Sequence, residues 1–226
     1  MIRLKFKIVL LLITLLIGMF VLTGASYAAS YTYTTIDDPW GVSGTYAMSI
    51  NDNGDVVGYY NDGNGYAHGF LYKGGSYTTL DDPLAVVRGT YAMGINDSGE
   101  VVGYYYDGNG YAHGFLYKGG SYTALDDPLE VGQSQGGGGT WAYGINNNEE
   151  VVGEYWGADG TGYGVITAGF LYMDGAYTTL VTPPSNYILW DVNGINDSGE
   201  VVGLYGYCPD GPCDSYDPAY GVGFPL

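Results

Sequence analysis

The chain reads as an all-β protein, a four-bladed β-propeller built from four repeats of ~45–55 residues. Three observations predict it. The segment Ile95–Gly103 (INDSGEVVG) recurs unchanged at Ile195–Gly203, with variants at Ile50–Gly58 and Ile145–Gly153, so the register advances by 45, 50 and 50 residues. Each unit holds several short runs of aromatic and branched residues separated by turn residues, and no sustained helical period. The repeats are also out of phase with the chain ends, as in a ring whose last blade is closed by a strand from the N-terminus.

Residues 1–28 stand apart from the repeats. Arg3, Lys5 and Lys7 precede the unbroken apolar run Ile8 to Leu22, and Ser26-Tyr27-Ala28 offers small residues at the two positions a signal peptidase reads. This is the pattern of a secretory signal peptide, and the run is short for a membrane span. An uncleaved N-terminal anchor is the competing reading. The expected organisation is a signal over 1–28 and a single repeat domain over 29–226, secreted to the extracellular space or the periplasm.

Export sharpens the charge imbalance. Three of the six basic residues lie in the signal and none of the 24 acidic ones does, so the mature chain carries 3 basic against 24 acidic side chains, a formal net of −21. A surface of that sign repels phosphate backbones and anionic bilayers, which argues against nucleic acid and against membranes after cleavage. Cations, neutral sugars and basic proteins remain as partners, and solubility alone also accounts for the charge. The two cysteines, Cys208 and Cys213, flank Pro-Asp-Gly-Pro. A turn of that composition brings them together, and an oxidising compartment favours a local disulfide.

The second repeat shows the unit most cleanly. Thr90–Ile95 is expected as a first strand, stopped by Asn96-Asp97-Ser98-Gly99, a hairpin whose glycine adopts positive φ. Glu100–Tyr106 returns as the second strand. Asp107-Gly108-Asn109-Gly110 turns into a third, Ala112–Tyr117, and Lys118-Gly119-Gly120 into a fourth, Tyr122–Leu125. Asp126-Asp127-Pro128 ends the unit, because proline has no donor for a ladder.

Strict alternation is missing from these strands. Val101 and Tyr105 fall on one face of the second strand and Val102 and Tyr104 on the other, so both faces call for burial, as in a blade between two neighbours. Small residues recur at Ala92, Gly94, Gly103 and Gly114, where converging strands approach closely. A β-solenoid or paired sandwich is the alternative architecture. Closure predicts pairing between Tyr33–Ile36, which matches a fourth strand, and Gly221–Phe224, which matches a third.

The Ile-Asn-Asp-x-Gly-x-Val-Val-Gly segment followed by His-x-Phe-Leu-Tyr resembles the bacterial extracellular repeats called HAF repeats. The triplet stands as His68-Gly69-Phe70 and His113-Gly114-Phe115, and decays to Ala168-Gly169-Phe170 and Val222-Gly223-Phe224. The resemblance spans residues 31 to 226 and implies an extracellular compartment. It implies no catalytic residue and no cofactor.

Candidate chemistry is sparse. His68 and His113 are copies of one another, which suits a packing residue of the repeat better than a general base. The pairs Asp37-Asp38, Asp81-Asp82 and Asp126-Asp127 each precede a proline and read as solvated turn carboxylates. No cofactor is expected. Calcium is the one ion such oxygen-rich loops could hold, though no intact EF-type spacing occurs. The best binding signal is aromatic: Tyr66 and Tyr111 stand in Asp-Gly-Asn-Gly-Tyr-Ala-His loops beside Asp62, Asn64, Asp107 and Asn109. Tyrosine flanked by such groups can stack on a sugar ring and bind its hydroxyls; the competing reading is a hairpin with a packing tyrosine.

Two function classes result. The favoured one is a non-enzymatic binding or structural interaction module for carbohydrate or a cell-surface polymer. The other is a polysaccharide hydrolase or lyase built on the symmetry-broken third and fourth repeats, which carry Gln133-Ser134-Gln135 and the longer Gly157 to Thr167 loop.

Overall fold

Every strand expected of the second repeat is present in the structure, a computed structural model that describes residues 31–130, 138–158, 165–180, 187–207 and 219–225. The four strands are β5 (Thr90–Ile95), β6 (Val101–Tyr106), β7 (Ala112–Lys118) and β8 (Ser121–Leu125), paired antiparallel in chain order. The first repeat gives β1 (Thr45–Ile50), β2 (Val56–Asn61), β3 (Ala67–Lys73) and β4 (Ser76–Leu80), and the third gives β9 (Thr140–Ile145), β10 (Val151–Ala158), β11 (Val165–Met173) and β12 (Ala176–Leu180). The fourth has three strands, β13 (Tyr187–Ile195), β14 (Glu200–Tyr207) and β15 (Ala219–Pro225). The protein is therefore all-β, with three four-stranded meanders and one three-stranded meander among the described residues.

Both faces of the second sheet are buried, as its lack of alternation requires. Val101, Tyr105 and Phe115 pack with Val57 and Leu80 of the first repeat. Val102, on the opposite face, packs with Ile145, Val151 and Phe170 of the third, and Val152 continues the series to Val192 and Val201 of the fourth. Each sheet thus shares an apolar layer with the next. Polar ties run beside these layers. Asn51 Nδ2 donates to the carbonyl of Asn96 at 3.0 Å, Asn96 to that of Asn146 at 3.3 Å, and Asn146 to that of Asn196 at 3.0 Å. The same asparagines cap their own hairpins, Asn96 Oδ1 accepting the Glu100 N–H at 3.0 Å, so one side chain closes a turn and holds two sheets in register.

The series has a first and a last member. Val202 is 51% exposed where Val102 and Val152 are fully buried, and Ile50 is 66% exposed where Ile95 and Ile145 are below 8%. The strand expected at Tyr33–Ile36 is not formed: residues 31–38 belong to no ladder, and β15 pairs with β14 alone among the described residues. Two compact units are distinguished. In the first, which ends at Thr35, the described residues are exposed coil; the second runs from Ile36 to Leu226. Within the second unit, Ile36 packs beside Tyr60 and Phe70 of the first sheet, and the Asp37 N–H donates to Tyr77 Oη at 2.7 Å. Ile36 takes the same place against Phe70 that Leu80 takes against Phe115. The repeat phase is kept by side-chain burial while the backbone pairing that phase suggested is absent, because a strand needs a ladder partner and not merely an apolar anchor.

The hairpin of the third repeat keeps the backbone of its sister turns without their glycine. Gly54, Gly99 and Gly199 all have φ of 78°, and Glu149 at the same position has φ of 65°. Its carboxylate accepts from Lys118 Nζ at 2.8 Å, an exposed contact, and Lys118 also meets Glu100 at 2.7 Å. Exposed pairs contribute little, whereas a left-handed non-glycine residue costs about 1 kcal/mol. Glu149→Gly should therefore leave stability unchanged or raise it by up to about 1 kcal/mol in urea unfolding. A clear loss would assign Glu149 a contact beyond the lysine.

Candidate functional site

The loops singled out for binding are stiff for a local reason. Asp62 Oδ1 accepts the backbone N–H of Asn64 at 2.8 Å and of Tyr66 at 2.9 Å, and the Asp62 N–H donates to the Tyr66 carbonyl at 2.9 Å. Asp107 repeats this on Asn109 and Tyr111. These N–H groups, led by that of Tyr66, hold the Asp62 carboxyl below the usual range. At Asp107 partial burial works upward, and the Tyr111 and Asn109 donors outweigh it. Asn64 and Asn109 are exposed, and the amide of each donates back to its own aspartate at 3.1 Å. The Asx turn engages one amide hydrogen of each asparagine and both carboxylate oxygens of its aspartate.

The histidines sit between these loops and the Asp-Asp-Pro segments. The His68 ring stacks on Tyr60 at 5.1 Å, its Nδ1 lies 2.8 Å from an Asp81 carboxylate oxygen, and its Nε2 lies 4.0 Å from Asp62. His113 stacks on Tyr105 at 5.2 Å, with Nδ1 3.1 Å from both Asp126 oxygens and Nε2 3.8 Å from Asp107. The Asp126 hydrogen bond leads in raising the His113 pKa, against a desolvation that lowers it. These are not plain packing residues. Their rings remain about a quarter exposed and their nitrogens are bracketed by carboxylates.

The Asp-Asp pairs also depart from the sequence reading. The second member of each pair is buried: Asp38, Asp82 and Asp127 are 3–5% exposed. Each caps the turn after its proline, Asp82 Oδ1 accepting the Leu84 N–H at 2.8 Å and Asp127 Oδ1 that of Leu129 at 2.8 Å, while their own N–H groups donate to Thr90 and Thr140. Burial raises the carboxyl pKa of both. The pairs Asp81-Asp82 and Asp126-Asp127 thus divide their labour, one carboxylate structural and one facing a histidine. Among the described residues no group of three or more His, Cys, Asp or Glu is disposed to hold a metal ion.

These parts enclose a pocket of about 240 Å³ where the first sheet meets the second. Asp62, Tyr66, His68, Asp81, Asp82 and Val86 are among its walls. Tyr66 is 45% exposed, and Tyr111, in the matching loop of the second sheet, is half-buried. A larger opening, about 310 Å³, gathers the hairpin residues of all four repeats, among them Asn51, Asn96, Asn146 and Asn196. Cys208, Cys213, Gln133-Ser134-Gln135 and the core of the Gly157 to Thr167 loop lie outside the described residues.

A further constellation escaped the sequence reading. Tyrosine rings run along the sheets in sequence: Tyr46 on Tyr59, Tyr59 on Tyr91 and Tyr91 on Tyr104, each pair 4.8 Å apart, then Tyr104 on Tyr143 at 6.1 Å. The next place, held by Tyr59 and Tyr104 in the earlier sheets, belongs to Glu154. A β-bulge in the first strand of each sheet falls beside Tyr143 in the third, whose hydroxyl donates to Glu154 Oε1 at 2.9 Å. Among the described residues no hydrogen-bond donor reaches the enclosed Glu154 Oε2. Burial foremost, with the nearby Asp191 charge added against the lowering Tyr143 bond, pushes the carboxyl up to about 7. The signal was present, a single Glu where the first two repeats read Tyr and the fourth reads Leu204, but aligning repeats by their turns draws the eye to the turns.

The family model of a protein of unknown function (DUF3466) matches residues 24–203, and the chain belongs to that family. No curated protein matches it.

Proposed function

We propose that this member of the DUF3466 family is a secreted binding module whose ligand is a carbohydrate or a related cell-surface polymer, held at the pocket between the first two sheets. The observation that carries the reading is the pocket walled by Tyr66, Asp62, His68 and Asp81. It offers an aromatic face beside hydrogen-bonding groups that stand ready in a stiff loop, the combination that a sugar ring needs. The same loop and His–Asp pair recur one sheet along at Asp107, Tyr111, His113 and Asp126, which suits a repeating polymer, since two linked contacts raise avidity without new chemistry. Changing Tyr66 and Tyr111 together to Ala should abolish glycan binding while shifting stability little, because neither ring belongs to a core cluster. A loss of several kcal/mol, as for core aromatics (about 3–5 kcal/mol each), would overturn the reading.

As its architecture we propose a four-bladed propeller in which the fourth sheet meets the first. Support comes from the single opening that collects the hairpins of all four repeats. Closure predicts amide hydrogen-exchange protection in β14 near Val202 comparable to that in β6 near Val102. Fast exchange throughout β14 would favour an open array. The basic and apolar leader, together with the resemblance to HAF repeats, supports export.

One observation favours the enzymatic alternative. Glu154 and Asp191 are carboxyls at the junction of the third and fourth sheets, where the symmetry breaks, and one of them is tuned toward neutrality. A polysaccharide hydrolase or lyase using them would lose turnover but not binding in Glu154→Gln.

A further inference from the structure

The turns that lead into the first three sheets each hold an apolar side chain out in water. Trp40, Leu84 and Leu129 follow the prolines of the Asp-Asp-Pro segments and are 60–70% exposed. The three turns are built alike. The buried Asp38, Asp82 or Asp127 accepts the N–H of that apolar residue at 2.8–2.9 Å, and its own N–H donates to Thr45, Thr90 or Thr140 on the first strand of a sheet. Its carbonyl accepts a further bond, from the N–H of Gly41, Ala85 or Glu130. Val42 and Val86, two residues beyond Trp40 and Leu84, are exposed as well. A side chain held on a fixed turn loses little freedom on binding, and exposed apolar residues grouped in this way mark an interaction site.

The charge around these turns selects the partner. In each antiparallel meander the inter-sheet turns and the loops at Asp62 and Asp107 share one end of the sheet, and the hairpins at Asn51 and Asn96 share the other. Of the three Lys or Arg residues beyond the leader, Lys73 and Lys118 lie at the hairpin end, where they meet Asp55, Glu100 and Glu149. The turn end has Arg88, whose guanidinium lies 5.0 Å from the centre of the Tyr106 ring, and the two histidines. Against them stand the exposed Asp37, Asp81 and Asp126, with Asp62 and Asp107 beside. The apolar row therefore sits in a negative field. A second copy, itself at a formal −21, or an anionic bilayer is repelled there, and a cationic chain is drawn in. Leu84 and Leu129 offer no ring for a sugar to stack on, so what they share with Trp40 is apolar area.

We infer that this row docks a basic, apolar polypeptide segment, whose apolar side chains cover Trp40, Leu84 and Leu129 while its Lys or Arg residues lie in the acidic field around them. Three like turns, one before each of the first three sheets, suit a partner that runs along the array. Trp40 is its largest anchor, the residue type that most often dominates such contacts. Peptide binding here needs no sugar at Tyr66, and its success or failure leaves carbohydrate binding to its own test.

The test is calorimetric titration of the mature protein at physiological salt with three short peptides: one of leucine and lysine, the same peptide with serine for leucine, and one of leucine and glutamate. Expected are binding of the first and affinities weaker by about tenfold or more for the other two. Trp40→Ser with Leu84→Ser and Leu129→Ser should cut leucine–lysine affinity by about tenfold or more. Circular dichroism and the urea midpoint should stay unchanged, because the three side chains are exposed. Met173→Ser, at an exposed apolar residue of the hairpin end, should leave the affinity as it was. Equal binding of the serine–lysine peptide, or binding that survives the triple substitution, marks unspecific attraction to any cation and overturns the inference. Equal binding of the leucine–glutamate peptide overturns the charge assignment, and no binding of the leucine–lysine peptide overturns the whole. Self-association of the mature protein that the triple substitution abolishes would give the row to a second copy and overturn it as well.

Discussion

Gly103→Ala is expected to destabilise the protein by about 3 kcal/mol or more, and to leave little folded material at 37 °C. The cause is steric and local. Gly103 lies in β6 opposite Ala92 of β5 and Phe115 of β7, in the middle of the second sheet. A methyl group there would lie 1.9 Å from the Tyr91 carbonyl oxygen and 2.9 Å from the Phe115 ring. The ring is fully buried and the carbonyl is backbone, so neither can yield cheaply. Gly58 and Gly153 meet the same obstacle at 1.9 and 2.0 Å, so the position is a feature of the repeat and not of one sheet. Gly108→Ala is the contrast: its methyl would meet nothing nearer than Val86 at 3.7 Å, and stability should hold or rise slightly. Urea unfolding of the two variants checks both, and similar midpoints would mean that the sheet spacing at Gly103 is looser than described.

That glycine also shows what was legible beforehand and what was not. Its recurrence in every repeat, beside valines on both faces, was enough to place β6 in a sheet buried on two sides, because burial and close approach act on a few neighbouring residues. Turn chemistry was equally local, and Glu149 has the positive φ that its sister glycines implied. Relations between repeats were harder to read. Asp81 and Asp82 are adjacent in sequence, yet one faces His68 thirteen residues back and the other caps the turn into the next sheet. Only the fold distinguishes two identical side chains in a row. The N-terminal segment was matched correctly to a fourth-strand sequence, and Ile36 does fill the corresponding apolar place, but the ladder did not follow. Sequence similarity specifies which side chains want burial; it does not supply a pairing partner for the backbone.

Glu154→Gln should remove a pH dependence that the parent protein carries between about pH 5 and 8. The parent carboxyl has a folded-state pKa of about 7 against an ordinary value of 4.5, raised first by burial and further by the Asp191 charge. The folded state therefore binds the proton more tightly than the unfolded chain. Its contribution to stability is fully present below about pH 4.5 and is lost as pH rises through 7. A shift of this size corresponds to on the order of 3 kcal/mol. Gln keeps an oxygen to accept the Tyr143 hydroxyl and adds an N–H₂ toward Asp191, and it cannot ionise. The variant should thus be the more stable protein at pH 8, with the advantage shrinking toward pH 5. Titrating groups remote from Glu154, His113 among them, are common to both chains and cancel in the difference, so the comparison reports on Glu154 together with its neighbour Asp191. Denaturant unfolding of the pair at several pH values measures it directly. Parallel stability profiles would mean that Glu154 is solvated, and the carboxyl pair would then lose the feature that recommends it as a reaction centre.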